Sequence, residues 1–128
     1  MISVVIPTLN DEARLGRLLA ALVPAAVEGV VTEVVIADGG SSDATLQIAD
    51  DAGCRIVQGG EKQGGAAAKG AWLLVLTPGA RLQPGWIEAA KAHVEGGAAG
   101  SLRLPVKPGV SGKLAAMLGG GAVLKRKA

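Results

Sequence analysis

Short β-branched apolar runs alternate along the chain with stretches whose apolar residues recur every three or four positions. Ile2 to Pro7 (ISVVIP) has the look of a strand buried on both faces. NDEARLGRLLAAL then sets Leu15, Leu18, Leu19 and Leu22 at helical spacing. Asn10 is placed as its N-cap, with Asp11 and Glu12 in the first turn, where the helix dipole favours anions. Glu33 to Gly40 (EVVIADGG) repeats strand and turn, and SSDATLQIADDAG predicts a helix opened by Ser42 or Asp43 and closed by Gly53. RIVQ reads as a third strand and GGEKQGGAAAKGA (59–71) as a glycine-rich connection. WLLVLTPGARL is a fourth strand that stops at Thr77 and Pro78, and Pro84 starts a helix carrying Ile87, Ala90 and Val94 on one face.

Alternating β and α units predict an α/β fold in one domain, a parallel or mixed sheet flanked by helices on both faces. The pattern places this domain at residues 1–107 and leaves 108–128 as a Gly-rich basic tail. Ligands of such sheets bind beyond the carboxyl ends of the strands. The informative residues are therefore Pro7, Thr8, Asn10 and Glu12 after the first strand, and Asp38, Gly39 and Gly40 after the second. Thr77, Pro78, Gly79 and Ala80 follow the fourth.

Composition adds constraints. The chain has 128 residues, 49% of them hydrophobic, enough for one core. It has no Phe or Tyr, so Trp72 and Trp86 are its only aromatics and Val, Leu, Ile and Ala must fill the interior. Twenty glycines add unfolded-state entropy, which points to modest stability helped by a partner. The single Cys54 excludes an internal disulfide, fits a reducing compartment and reads as a small core residue. A net charge of +2, scattered along the chain, gives no argument for nucleic acid. We read no charged-then-apolar leader at Met1 and no apolar run near the ~20 residues that span a bilayer, and expect a cytoplasmic protein. In the tail, Leu114, Met117 and Leu118 with Lys113, Lys125, Arg126 and Lys127 suit a basic amphipathic contact with the inner face of a membrane. A frayed terminus is the simpler reading.

SVVIPTLNDEARLGRLLAAL followed by EVVIADGGSSDATLQIA resembles the opening of the family-2 nucleotide-sugar glycosyltransferases, above all the bacterial branch that reads P-T-L-N-E-E and V-D-G-G-S-S-D-G-T. The resemblance runs through WLLVLTPGARLQPGWIE, to about Glu88. It implies the GT-A fold, binding of a nucleotide-sugar of UDP type and transfer of the sugar to an acceptor with inversion. The alternative is a catalytically silent nucleotide-binding or assembly module derived from that family. In this frame Asp38 accepts the imide N–H of uracil and Gly39 lets the ring approach the backbone. Pro7 and Thr8 support base and ribose through backbone groups, while Asn10 and Glu12 orient the turn or reach the ribose. Beside these roles stand simpler ones, with Asn10 as a helix cap, Glu12 as a first-turn acid and Asp43 as the cap of the second helix.

The sequence departs from the family pattern at one chemically decisive place. Gly79 stands where the family has an acid that ligates manganese or magnesium, and hard cations take carboxylate oxygens, so no metal cofactor is expected. Charge on the diphosphate would then fall to Lys62, Lys69 or Arg81. GGEKQGG lacks the G-K-[ST] of a P-loop. No catalytic base can be named after the fourth strand, since Glu95 reads as a solvated helix position and His93 as a surface histidine. The short segment covering that side of the sheet leads us to expect a homo-oligomer. Leu102, Leu104 and Val106 would form the pairing strand, and Pro105 would confine it to an edge.

Overall fold

The computed structural model describes residues 2–96, 102–104 and 122–127. Among these residues ten elements follow one another: β1 (Ile2–Thr8), α1 (Glu12–Val27), β2 (Val31–Asp38), α2 (Thr45–Asp51), β3 (Arg55–Gln58), α3 (Glu61–Ala67), β4 (Trp72–Leu76), α4 (Trp86–Glu95), β5 (Leu102–Leu104) and β6 (Ala122–Arg126). The sheet order is β3-β2-β1-β4-β6-β5. The first four strands are parallel, while β6 runs antiparallel to both β4 and β5, which makes the sheet mixed.

Strand alternation divides the interior into two layers. Ile2, Val4 and Ile6 of β1 face one side with Ile36, Leu74, Leu76 and Leu124. There they pack on Leu15, Leu18 and Leu22 of α1, Ala49 of α2, and Trp86 and Ala90 of α4. Val5, Val35 and Leu73 face the opposite side, under α3 and Ala68. Helices therefore lie on both faces, three against one.

That single helix was not expected, because two glycines in 61–67 weaken the helical signal. Packing overrides propensity: a Cβ on Gly64 would lie 2.7 Å from Val5 Cγ1 and 3.1 Å from the Ala37 Cβ. Glycine is what lets α3 approach the sheet this closely. The Gln63 side chain accepts the Gly60 N–H (2.9 Å) and closes the first turn.

The expected boundary at 107 and the frayed tail need correction at their far end. Ala122 to Arg126 form a strand inserted between β4 and β5, with Leu124 fully buried in the core. The basic residues there are occupied within the fold. Lys125 pairs with Glu61 (2.9 Å), Arg126 lies over the Trp72 ring (4.9 Å) and the Lys127 ammonium donates to the Ala68 carbonyl. Leu102 and Leu104 do belong to an outer strand, but their partner is the chain's own β6. Pro105, Val106, Lys113, Leu114, Met117 and Leu118 lie outside the described residues. No described helix is long and apolar enough to cross a membrane.

Candidate functional site

The order of the parallel strands reverses beside β1, with β2 and β3 to one side and β4 to the other. Crevices at such a switch point are where open α/β sheets take ligands. At this edge β1 ends in Thr8, β2 in Asp38 and β4 in Leu76.

Asp38 organises the loops at the carboxyl ends of β1 and β2. Its Oδ1 accepts the hydroxyls of Thr8 (2.7 Å) and Ser41 (2.6 Å), and its Oδ2 accepts the N–H groups of Gly40 (2.9 Å) and Ser41 (2.8 Å). Burial pushes the carboxyl pKa up, but the Ser41 hydroxyl and N–H, the Thr8 hydroxyl and the Gly40 N–H outweigh it and hold it at about 2. The residue is buried, at 4% exposure. All four of its acceptor positions are filled, so a uracil imide could bind only by displacing a hydroxyl. Asp38 is a residue that fixes the loop.

Neighbouring groups complete the lip. The Gly39 N–H donates to the Thr8 carbonyl (2.9 Å), and Gly40 takes a φ of 111°, which only glycine adopts freely. Pro7 is half-buried in β1, opposite Ala37. Asn10 is not the helix cap. It adopts a left-handed φ of 53°, its N–H donates to Ser41 Oγ (2.9 Å), and its Oδ1 accepts the Ser42 N–H (2.8 Å), so it ties the two loops together. Asp11 takes the N-cap position of α1. Asp43 caps by a longer route, accepting the N–H groups of Thr45 (2.9 Å) and Glu12 (3.4 Å), and Glu12 itself is exposed. Leu9, which the sequence pattern did not single out, is 57% exposed above Gly39. Its signal was an apolar residue between two polar turn residues at a strand end.

The three expected diphosphate cations do not come together. Lys62 is exposed on the first turn of α3, beyond the carboxyl end of β3, and Arg81 is exposed in the segment after β4, so both are at the ligand edge. Lys69 lies at the other end of the sheet. Its N–H donates to Glu33 near the start of β2, and the Gly70 N–H donates to Ser3 near the start of β1. A lysine side chain cannot span the length of strands that rise about 3.3 Å per residue.

At Gly79 the chemistry is cationic. A Cβ built on Gly79 would meet Arg14 Nη1 at 3.5 Å and its Cδ at 3.8 Å. Arg14 Nη2 is paired with Asp11 Oδ1, while Asp11 Oδ2 accepts the Leu9 N–H (2.9 Å). Thr77, Pro78 and Ala80 supply no charged oxygen, and among the described residues no three His, Cys, Asp or Glu side chains come together to hold a metal. The residues at this position do not fit a divalent cation.

His93 and Glu95 separate. Glu95 is exposed as expected, whereas the His93 ring is half-buried and meets Trp72 edge-on at 5.3 Å. Half-buried Cys54 packs against the core, and burial pushes its thiol pKa up.

Comparisons with known proteins agree on family and fold. The profile of "Glycosyl transferase family 2" matches residues 3–102. Among solved structures, glucosyl-3-phosphoglycerate synthase from Mycobacterium tuberculosis in complex with Mn2+, UDP and glucosyl-3-phosphoglycerate is 21% identical, with a TM-score of 0.72 over 99% of this chain and 57% of that one. The same synthase in complex with UDP has a TM-score of 0.74 at 21% identity, over 99% and 57% of the two chains. A structure described as a mycobacterial protein scores 0.75 at 22% identity, over 99% and 53%. The chain thus spans little more than half the length of these proteins. No curated protein sequence matches it.

Proposed function

The chain belongs to glycosyl transferase family 2, and we propose that its GT-A sheet binds the nucleoside diphosphate part of a nucleotide-sugar of UDP type. In this reading it serves transfer of the sugar, with inversion, to an acceptor. One observation carries the proposal: Asp38 spends its whole hydrogen-bonding capacity on locking the Thr8 and Gly40–Ser41 loops into a lip at the switch point. Such an investment in a preorganised strand-end loop is what recognition of a flat, polar ligand requires. Exposed Leu9 offers the base an apolar surface above Gly39. Thr8, Asn10 and the Gly39–Gly40 backbone line the same lip. The solved structures bound to UDP share this fold, which supports the same class of ligand here.

A second reading, binding without transfer, is favoured by the turn after β4, where Gly79 and its neighbours offer no acid. Both readings are tested together. Titration with UDP, GDP and UDP-glucose, followed by amide NMR shifts, should move Thr8, Leu9 and Gly39–Ser41 first, with UDP tighter than GDP. No response to any nucleotide would overturn the binding proposal. Release of UDP from UDP-glucose in the presence of candidate acceptors separates transfer from silent binding.

A further inference from the structure

We propose that the Arg14 guanidinium, held by Asp11 against Gly79, is the diphosphate-binding group of this site and makes nucleotide binding independent of divalent cations. The proposal rests on the nucleotide reading above and names what would hold the phosphates. Position is the first argument. Arg14 belongs to the first turn of α1, which follows β1, and Gly79 to the turn after β4, so the two lie side by side across the point where strand order reverses.

Anchoring is the second. Asp11 is 7% exposed, and its place is fixed by its own N–H bond to Thr45 Oγ1 (2.9 Å) and by the Leu9 N–H on Oδ2 (2.9 Å). A carboxylate this buried needs partners for its charge, and Arg14 supplies a cationic one through Nη2. The arginine side chain as a whole is 61% exposed. A guanidinium has five donors in a rigid fork, so one held from behind can still present a bidentate edge to phosphate oxygens. Among the described residues Asp11 is the only partner of that fork. Lys62 and Arg81 are exposed at the same edge, and among the described residues neither has such a carboxylate anchor.

The third argument is the sign of the charge. An acid at residue 79 would attract a metal ion and reach the phosphates through it. Here residue 79 carries no acid, and Arg14 Nη1 lies 3.5 Å from where its Cβ would stand. A cation in that place removes the need for the ion.

Isothermal titration of the full chain, with uridine followed by NMR, distinguishes the outcomes. Wild type should bind UDP with the same affinity, within twofold, in EDTA and in manganese. Arg14→Ala should weaken UDP at least tenfold and leave uridine within twofold. Arg14→Gln, which keeps a donor for Asp11, should show the same selective loss and stands in should the alanine variant fail to fold. Gly79→Asp should also lose UDP affinity in EDTA, because its carboxylate pairs with Arg14. Tenfold tightening of wild-type UDP binding by manganese, or unchanged UDP binding by a folded Arg14 variant, would overturn this inference alone. A wild type that binds neither UDP nor uridine overturns the nucleotide reading and this inference with it.

Discussion

The Thr8 hydroxyl donates a 2.7 Å hydrogen bond to Asp38 Oδ1, joining residues 30 apart in sequence at the carboxyl ends of two adjacent strands. The bond is buried and charge-assisted, and Asp38 accepts three more, so the loops after β1 and β2 behave as one unit. Disturbing either residue should disturb both loops.

Asp38→Asn replaces a carboxylate oxygen with an NH2 group that must face either two hydroxyls or two N–H donors. The hydroxyls can rotate to accept, so the amide should settle toward them and keep its oxygen for Gly40 and Ser41. What it loses is the charge on all four bonds. We expect destabilisation of about 2 kcal/mol in urea melts, and about 1 kcal/mol for Thr8→Val, which removes one donor. Equal stability of Asp38→Asn and wild type would mean that the network does not carry the loop.

The same network sets an acid dependence. Asp38 has a pKa of about 2 in the fold against 3.8 for the ordinary side chain. Its stabilisation is therefore complete above pH ~4, where both states are ionised, and is lost as pH falls through the window down to ~2, where the unfolded chain takes up the proton first. The loss is on the order of 2 kcal/mol. Glu33 works in the same direction. Burial raises its pKa, but the Ser3 hydroxyl, the Lys69 N–H and the charges of Arg55 and Lys69 outweigh that and lower it. Urea melts should show the gap between wild type and Asp38→Asn closing from pH 5 to pH 2. A gap that stays constant would refute the lowered pKa.

The four parallel strands were legible as short apolar runs, the first three rich in β-branched residues, and RIVQ corresponds residue for residue to β3, whereas β6 falls in the segment that read as a frayed tail. The strand ends that carry the candidate residues, those of β1, β2 and β4, were legible for the same reason. The contacts that decide roles are between residues remote in sequence. Asn10 reads as a cap until Ser41 and Ser42, 31 and 32 residues away, claim its N–H and its side chain. Arg14 reads as one more exposed helix charge until Gly79 lies beside it, although its i,i+3 spacing from Asp11 was in view. Lys69 is close in sequence to Lys62, yet α3 intervenes and carries it to the far end of the sheet.

Glycines within helices should respond in opposite ways. Gly16 lies within α1 with nothing within 4 Å of a Cβ, so Gly16→Ala should stabilise by about 0.5–1 kcal/mol through helix propensity alone. Gly64→Ala gains the same propensity but drives its methyl to 2.7 Å from Val5 Cγ1 and 3.1 Å from Ala37 Cβ. Overpacking of this kind costs about 1–3 kcal/mol, so it should prevail. Paired thermal melts check the contrast, and stabilisation by both substitutions would show that α3 can move off the sheet.

The strongest test of how the chain closes its sheet is β6. Leu124 is fully buried in the layer of Leu74 and Leu76, and β6 pairs with β4 along Trp72 to Leu76, satisfying an edge that would otherwise be open. Leu124→Ala should therefore cost about 2–5 kcal/mol, as for other core leucines. Arg126→Ala removes a cation over the Trp72 face and should cost no more than about 1 kcal/mol. Deleting residues 122–128 goes further, because it bares the backbone of β4 together with Trp72 and Leu74, and an open apolar strand edge recruits another chain. Light scattering over a hundredfold dilution should then show the truncated protein far more associated than the full chain. Equal association of the two would mean that β6 is not what covers β4 in solution.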